Sequence, residues 1–217
     1  MKTTRISLFL SAIALLSATF LHPTPAESAG PAAVMTHVLG TVQVRSGVGW
    51  RQSVQSQRLF AGSTLRTGRN SRGQLRYSDG TVVRMGSNTV LRVRAARDLS
   101  LVRGKTWMKK QKNNQRIRVR TPIAQATVVG TELFVAHNAE NNSSHVTTLN
   151  GQVEVTTDKG ESTMVGPGEW VEIEADKPLE APTKFDWNTL KKDERFLLDL
   201  DFVPPADQEV DSDGSWR

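Results

Sequence analysis

The 217-residue chain contains no cysteine. That absence excludes disulfides, thiol catalysis, cysteine-ligated metal sites and a lipid-modified N-terminal cysteine together. Acidic residues are nearly missing from one long stretch. Residues 45–120 carry 19 Lys/Arg and only two acids, Asp79 and Asp98. The balance reverses downstream, where residues 121–217 carry 7 basic and 19 acidic side chains. The net charge of +6 therefore conceals a basic middle and an acidic C-terminal part. Such a split marks an interaction surface, internal to the fold or external to it.

Long apolar runs are also missing, except at the N-terminus. Lys2 and Arg5 form a basic n-region, Ile6 to Leu21 an apolar h-region, and Thr24-Pro25-Ala26 a small-residue cleavage site. Met1 to about Ala26 therefore reads as a signal peptide. The other reading is an uncleaved anchor, but a run this short, interrupted by Ser and Thr, is marginal for a bilayer core. The expectation is an exported protein, periplasmic or secreted, with no stable transmembrane anchor once the segment is cleaved.

Catalytic signatures are absent as well. No nucleophile elbow, phosphate-binding loop or zinc-protease helix occurs. Of the four histidines, His22 lies in the targeting segment and His37 stands alone, while His137 and His145 bracket the loop Asn138–Ser144. Only Glu140 accompanies that pair at ligand spacing, so solvated loop histidines are preferred over a metal site. The chain reads as a non-enzyme that needs no cofactor.

What is present is a succession of short alternating segments. Gly40–Val44, Leu59–Thr67, Gly73–Tyr77, Thr81–Met85, Leu91–Arg94 and Leu99–Met108 all carry strand patterns, the last with strands on each side of Gly104. Arg116–Val135 supplies two more, interrupted at Thr121-Pro122 and Gly130-Thr131. Ser78-Asp79-Gly80 and Asn150-Gly151 read as hairpin turns. Gly151–Val155 echoes Gly40–Val44, which suggests that similar strands open and close the domain. The fold class is all-β: one domain of many short strands, as a sandwich, β-roll or solenoid-like stack. After a linker from residue 177, Asp186 is placed to cap a helix over about 186–200 that docks on the β-domain, and an acidic tail ends the chain at 217.

Within the basic half, period two puts Arg92 with Arg94, and Arg116 with Arg118 and Arg120, on shared strand faces. Arg76 and Arg84 flank the Asp79 turn and are candidates to join them. These seven arginines are the candidate binding residues, for an envelope protein or an anionic cell-wall polymer. The internal reading is preferred for their charge: Glu154, Glu172 and Glu174 also alternate, so acidic strands could neighbour basic ones. Nucleic acid is not expected, because the segment is exported and Trp50, Tyr77 and Trp107 are not interleaved with the arginines in sequence.

Eight pieces, in order, resemble the FecR domain, an extracytoplasmic sensor domain of bacterial signalling regulators. They are Ala61-Gly-Ser-Thr-Leu-Arg-Thr67, Asn70-Ser-Arg-Gly-Gln-Leu75, Asp79-Gly-Thr-Val-Val83, Leu101-Val-Arg-Gly104, Val119-Arg-Thr-Pro122, Val129-Gly-Thr-Glu-Leu-Phe-Val135, Leu149-Asn-Gly-Gln-Val-Glu-Val155 and Val165-Gly-Pro-Gly168. The resemblance covers about residues 38–174. It implies a non-enzymatic binding or sensing module of the cell envelope, in signal transduction, with a protein or glycan partner. The family's regulators carry an anti-sigma region before a membrane helix, whereas here the export signal is expected to lead directly to the domain. The family often has arginine where this chain has Val129, so no role for that arginine carries over. The alternative is a structural wall protein held by its arginine face to an anionic polymer.

Overall fold

The computed structural model describes residues 30–111 and 115–193. The expected signal peptide, the part of the expected helix beyond Asp193 and the expected acidic tail lie outside the described residues. The chain forms β1 (Ala33–Leu39), β2 (Val42–Arg45), β3 (Arg51–Gln52), β4 (Arg58–Leu59), β5 (Thr64–Thr67), β6 (Arg72–Tyr77), β7 (Val82–Met85), β8 (Val90–Ala95) and β9 (Asp98–Lys109). It continues through β10 (Ile117–Arg120), β11 (Ala124–Val128), β12 (Glu132–Asn138), β13 (Ser143–Asn150), β14 (Val153–Thr157), β15 (Ser162–Val165), β16 (Glu169–Glu174), β17 (Thr183–Lys184) and α1 (Trp187–Asp193).

The fold is all-β, with hydrogen bonding continuous through all 17 strands. The ladders divide into two layers. Sheet A runs β4-β1-β6-β7-β9-β12-β13-β16-β17. Sheet B runs β3-β2-β5-β8-β9-β10-β11-β14-β15. All neighbours are antiparallel except β9 and β10, which are parallel. Inward-facing residues of both layers, among them Met35, Leu75 and Val135 from sheet A and Leu65, Leu91 and Val153 from sheet B, form a single apolar core. Period-two alternation makes most strands half-buried, and burying the two apolar faces against each other is what stabilises the stack.

β9 belongs to both layers. Its residues up to Arg103 pair with β8 in sheet B, and those from Gly104 pair with β12 in sheet A. The inward positions are Leu99 and Leu101 before Gly104, but Thr106 and Met108 after it. The corner therefore shifts the alternation by one residue. The two strands expected around Gly104 are one strand, bent there from sheet to sheet.

The chain changes layer again and again, and this corrects one expectation. Asn150-Gly151 does not close a hairpin. β13 ladders to β12 and β16, whereas β14 ladders to β11 and β15. Gly151, at φ +82°, packs on the Gly130 carbonyl and Thr131 and turns the chain from sheet A to sheet B. The echoed segments β2 and β14 share this role: each enters sheet B directly after a corner and buries two valines, Val42 with Val44 and Val153 with Val155. Ser78-Asp79-Gly80, by contrast, does join a hairpin, β6–β7, and the Asp79 carboxylate accepts the Thr81 N–H at 2.9 Å.

Asp186 caps α1, accepting from the Thr189 N–H at 3.0 Å and the Thr189 hydroxyl at 2.7 Å. Leu190 packs against the Trp107–Phe134 pair, as do Val82 and Leu149, so the helix covers part of the outer face of sheet A.

Candidate functional site

The structure divides the seven candidate arginines between the two layers. Arg92 and Arg94 of β8 and Arg118 and Arg120 of β10 lie on the outer face of sheet B, and Arg116 directly precedes β10. Cross-strand register places Arg92 opposite Ser100 on β9, and Arg120 opposite the same Ser100 from the other side. At about 4.8 Å per strand, the two guanidinium-bearing strands are about 10 Å apart. Arg76 and Arg84 do not join them. They project from β6 and β7 of sheet A, where Arg76 is exposed and Arg84 sits 4.4 Å above the Trp107 ring, with its Nε donating to Gln74 Oε1 at 2.9 Å.

Sheet B gains two arginines that sequence patterning did not single out. Arg66 of β5 lies 4.3 Å from the Trp50 ring and Arg45 of β2 lies 5.0 Å from it. Arg66 also donates to Gln43 Oε1 at 2.7 Å. Trp50 and Trp107, separate from the arginines in sequence, therefore meet them in space, which corrects the premise used against stacking. Both rings are engaged by the protein's own guanidinium groups. Tyr77 is buried.

The counter-charge is not the one expected. Arg120 Nε donates to Asp98 at 3.0 Å, and Arg118 lies 3.8 Å from the same carboxylate. Asp98 reaches them because β9 and β10 run parallel in register. Glu154 sits beyond Thr127, two strands from Arg118, and Glu172 and Glu174 belong to sheet A. One carboxylate thus faces two arginines. Arg92 and Arg94 have no ion pair or hydrogen bond from their side chains among the described residues. The outer face of sheet B is therefore a net cationic surface, with its uncompensated charge centred on β8.

At one end of this face an open groove of about 840 Å³ runs between β11, β14 and β15, lined by Arg116, Thr127, Val129, Glu154, Met164 and Pro167. Val129 and Met164 are about half exposed there. Cation and apolar surface thus adjoin, a combination suited to protein contact more than to a purely electrostatic polymer.

His137 and His145 are strand residues of β12 and β13, not the solvated loop histidines expected, and they point to opposite faces of sheet A. His137 is buried on the core side, with Nδ1 3.0 Å from the Ser144 hydroxyl. His145 is on the outer side, stacked on Trp170 with centroids 4.5 Å apart. Burial, then the nearby Lys105 charge, lowers the His145 imidazole to about 4. Two imidazoles on opposite faces cannot share an ion, and no cluster of three potential ligands occurs among the described residues.

The family model for FecR protein matches residues 63–154, from the start of β5 into β14. No curated protein sequence matches the chain. Two crystal structures of a candidate anti-sigma factor from Parabacteroides distasonis ATCC 8503 have a similar fold. One has a TM-score of 0.53 at 20% identity and the other 0.51 at 18%. Each alignment covers 59% of this chain and 62% of the matched one. The family match places β8 and β10, with their arginines, inside the segment of this chain that resembles FecR protein.

Proposed function

We propose that the chain is an exported, non-enzymatic sensing module of the cell envelope that acts in signal transduction. It does so by binding another envelope protein through the outer face of sheet B. The observation that carries this reading is the FecR match over residues 63–154, which contains the cationic strands β8 and β10. The description of the structural neighbours as candidate anti-sigma factors supports a signalling context. A partner with an acidic, partly apolar surface complements Arg92, Arg94 and the Arg116–Met164 groove. A continuous anionic polymer fits less well, since Asp98 and the Trp50 ring already engage four of the sheet B arginines. Among the described residues no helix is long and apolar enough to cross a membrane.

The test is capture from envelope fractions. Immobilised protein should retain a discrete protein partner, and the double change Arg92→Gln, Arg94→Gln should weaken that capture roughly tenfold through loss of cross-interface charge. Because both side chains are exposed, the melting temperature should stay unchanged. Retention of purified wall polymer alone, falling steeply with salt, would replace this reading with the structural one.

A further inference from the structure

The outer face of sheet A carries a second depression, distant in chemistry from the arginine face. A cross-strand row, Lys105–Ala136–His145–Glu172, spans β9, β12, β13 and β16. Ala136 is the small member, so the row dips there, and the β12–β13 loop walls one end. The resulting pocket is about 310 Å³, at the small end of ligand sites (roughly 300–1,000 Å³).

Its lining is a set of single-point hydrogen-bonding groups around a ring. The Asn138 side-chain oxygen accepts the Glu140 N–H at 2.9 Å, and that of Asn141 accepts the Ser143 N–H at 3.2 Å and the Ser143 hydroxyl at 2.9 Å. Those donors fix which amide atom is oxygen. Both amide NH2 groups are left as donors, with no partner among the described residues. Glu172 adds an acceptor and Lys105 a cation, so the pocket has no net charge. His145, backed by Trp170, contributes a flat imidazole that is neutral at physiological pH.

The geometry points to a carbohydrate subsite: one sugar ring, neutral or N-acetylated, seated over Ala136 and hydrogen-bonded by Asn138, Asn141 and Glu172. Two planar amides, a carboxylate and a stacked ring match a ligand with hydroxyls on its rim and C–H groups on its face. A free carboxylate ligand would instead call for an arginine fork, which this row lacks. The assignment is independent of the partner-binding reading, because the arginine face lies on the other sheet.

The experiment is an NMR titration of the 15N-labelled protein with diacetylchitobiose, cellobiose and, as a zwitterion control, glycine. Binding of at least one disaccharide is expected, with shifts centred on residues 136–145. Ala136→Leu, which fills the floor, and Asn138→Ala, which removes a donor, should each weaken it roughly tenfold or more, with melting temperature retained. Arg92→Gln, Arg94→Gln should leave sugar binding unchanged. Absence of disaccharide binding, binding indifferent to Ala136→Leu and Asn138→Ala, or binding of glycine alone would overturn the assignment.

Discussion

Replacing Asp79 by asparagine is expected to destabilise the protein by about 3 kcal/mol, the scale for breaking a buried ion pair from one side. Lys110 is the reason. Its side chain is wholly buried, and its ammonium donates to Asp79 Oδ2 at 2.8 Å and to the Gln111 carbonyl at 3.3 Å. The change removes the carboxylate and leaves the ammonium in place. Burial by itself would raise the Asp79 carboxyl, but hydrogen bonds from Lys110 and Thr81 outweigh it and hold the group below its ordinary 3.8. A carboxylate depressed in the folded state stabilises fully above its unfolded value and loses that contribution as pH falls through the folded value. Urea midpoints of the two proteins should therefore differ most at neutral pH and converge at strongly acid pH. Asp98→Asn is the control. Its arginine partners are a third to a half exposed, at 35% for Arg120 and 49% for Arg118, so the expected loss is about 1 kcal/mol or less. Equal losses for the two changes would contradict the role given to Lys110.

Gly104→Ala should cost about 3 kcal/mol or more, by a different route. At φ +90° any side chain is strained, and a Cβ here would lie 2.6 Å from Thr89 Cα and 2.5 Å from Thr89 Oγ1. Thr89 cannot withdraw: its hydroxyl donates to the Lys105 carbonyl and accepts the Lys105 N–H, both at 3.1 Å. Gly160 separates the two effects. Its φ of +88° is nearly the same, yet nothing lies within 4 Å of its Cβ position. Gly160→Ala should lose only the conformational term, about 1–2 kcal/mol, whereas Gly104→Ala adds an overlap of about 1–3 kcal/mol. Thermal melts that place the two variants together would remove Gly104 from its place as the joint between the sheets.

Most strands were legible because alternation survives in a half-buried strand whatever its partner. β1 was not, and its ladder shows why: the register shifts between Met35 and His37, which breaks the pattern. The layering was hidden for another reason. A Gly-containing turn that closes a hairpin at Asp79-Gly80 and one that crosses between sheets at Asn150-Gly151 have the same local chemistry. Only the long-range ladders distinguish them. The arginines followed the same division. Period two correctly grouped Arg92 with Arg94 and Arg118 with Arg120, but could not say that Arg76 and Arg84 belong to the other layer. Nor could composition reveal that Arg72 and Lys110, counted among the charges of the basic half, are buried. The Trp50 cluster depends on β2 and β5 pairing, Gln43 opposite Arg66, a contact across 23 residues of sequence.

The most direct test of the account is site-specific photo-crosslinking in intact cells, with the photoreactive residue placed at position 92 on sheet B or at position 76 on sheet A. Both positions are exposed, so neither should disturb folding. A discrete crosslink to an envelope protein is expected from position 92 and none from position 76. A crosslink from position 76 with none from position 92 would contradict the account.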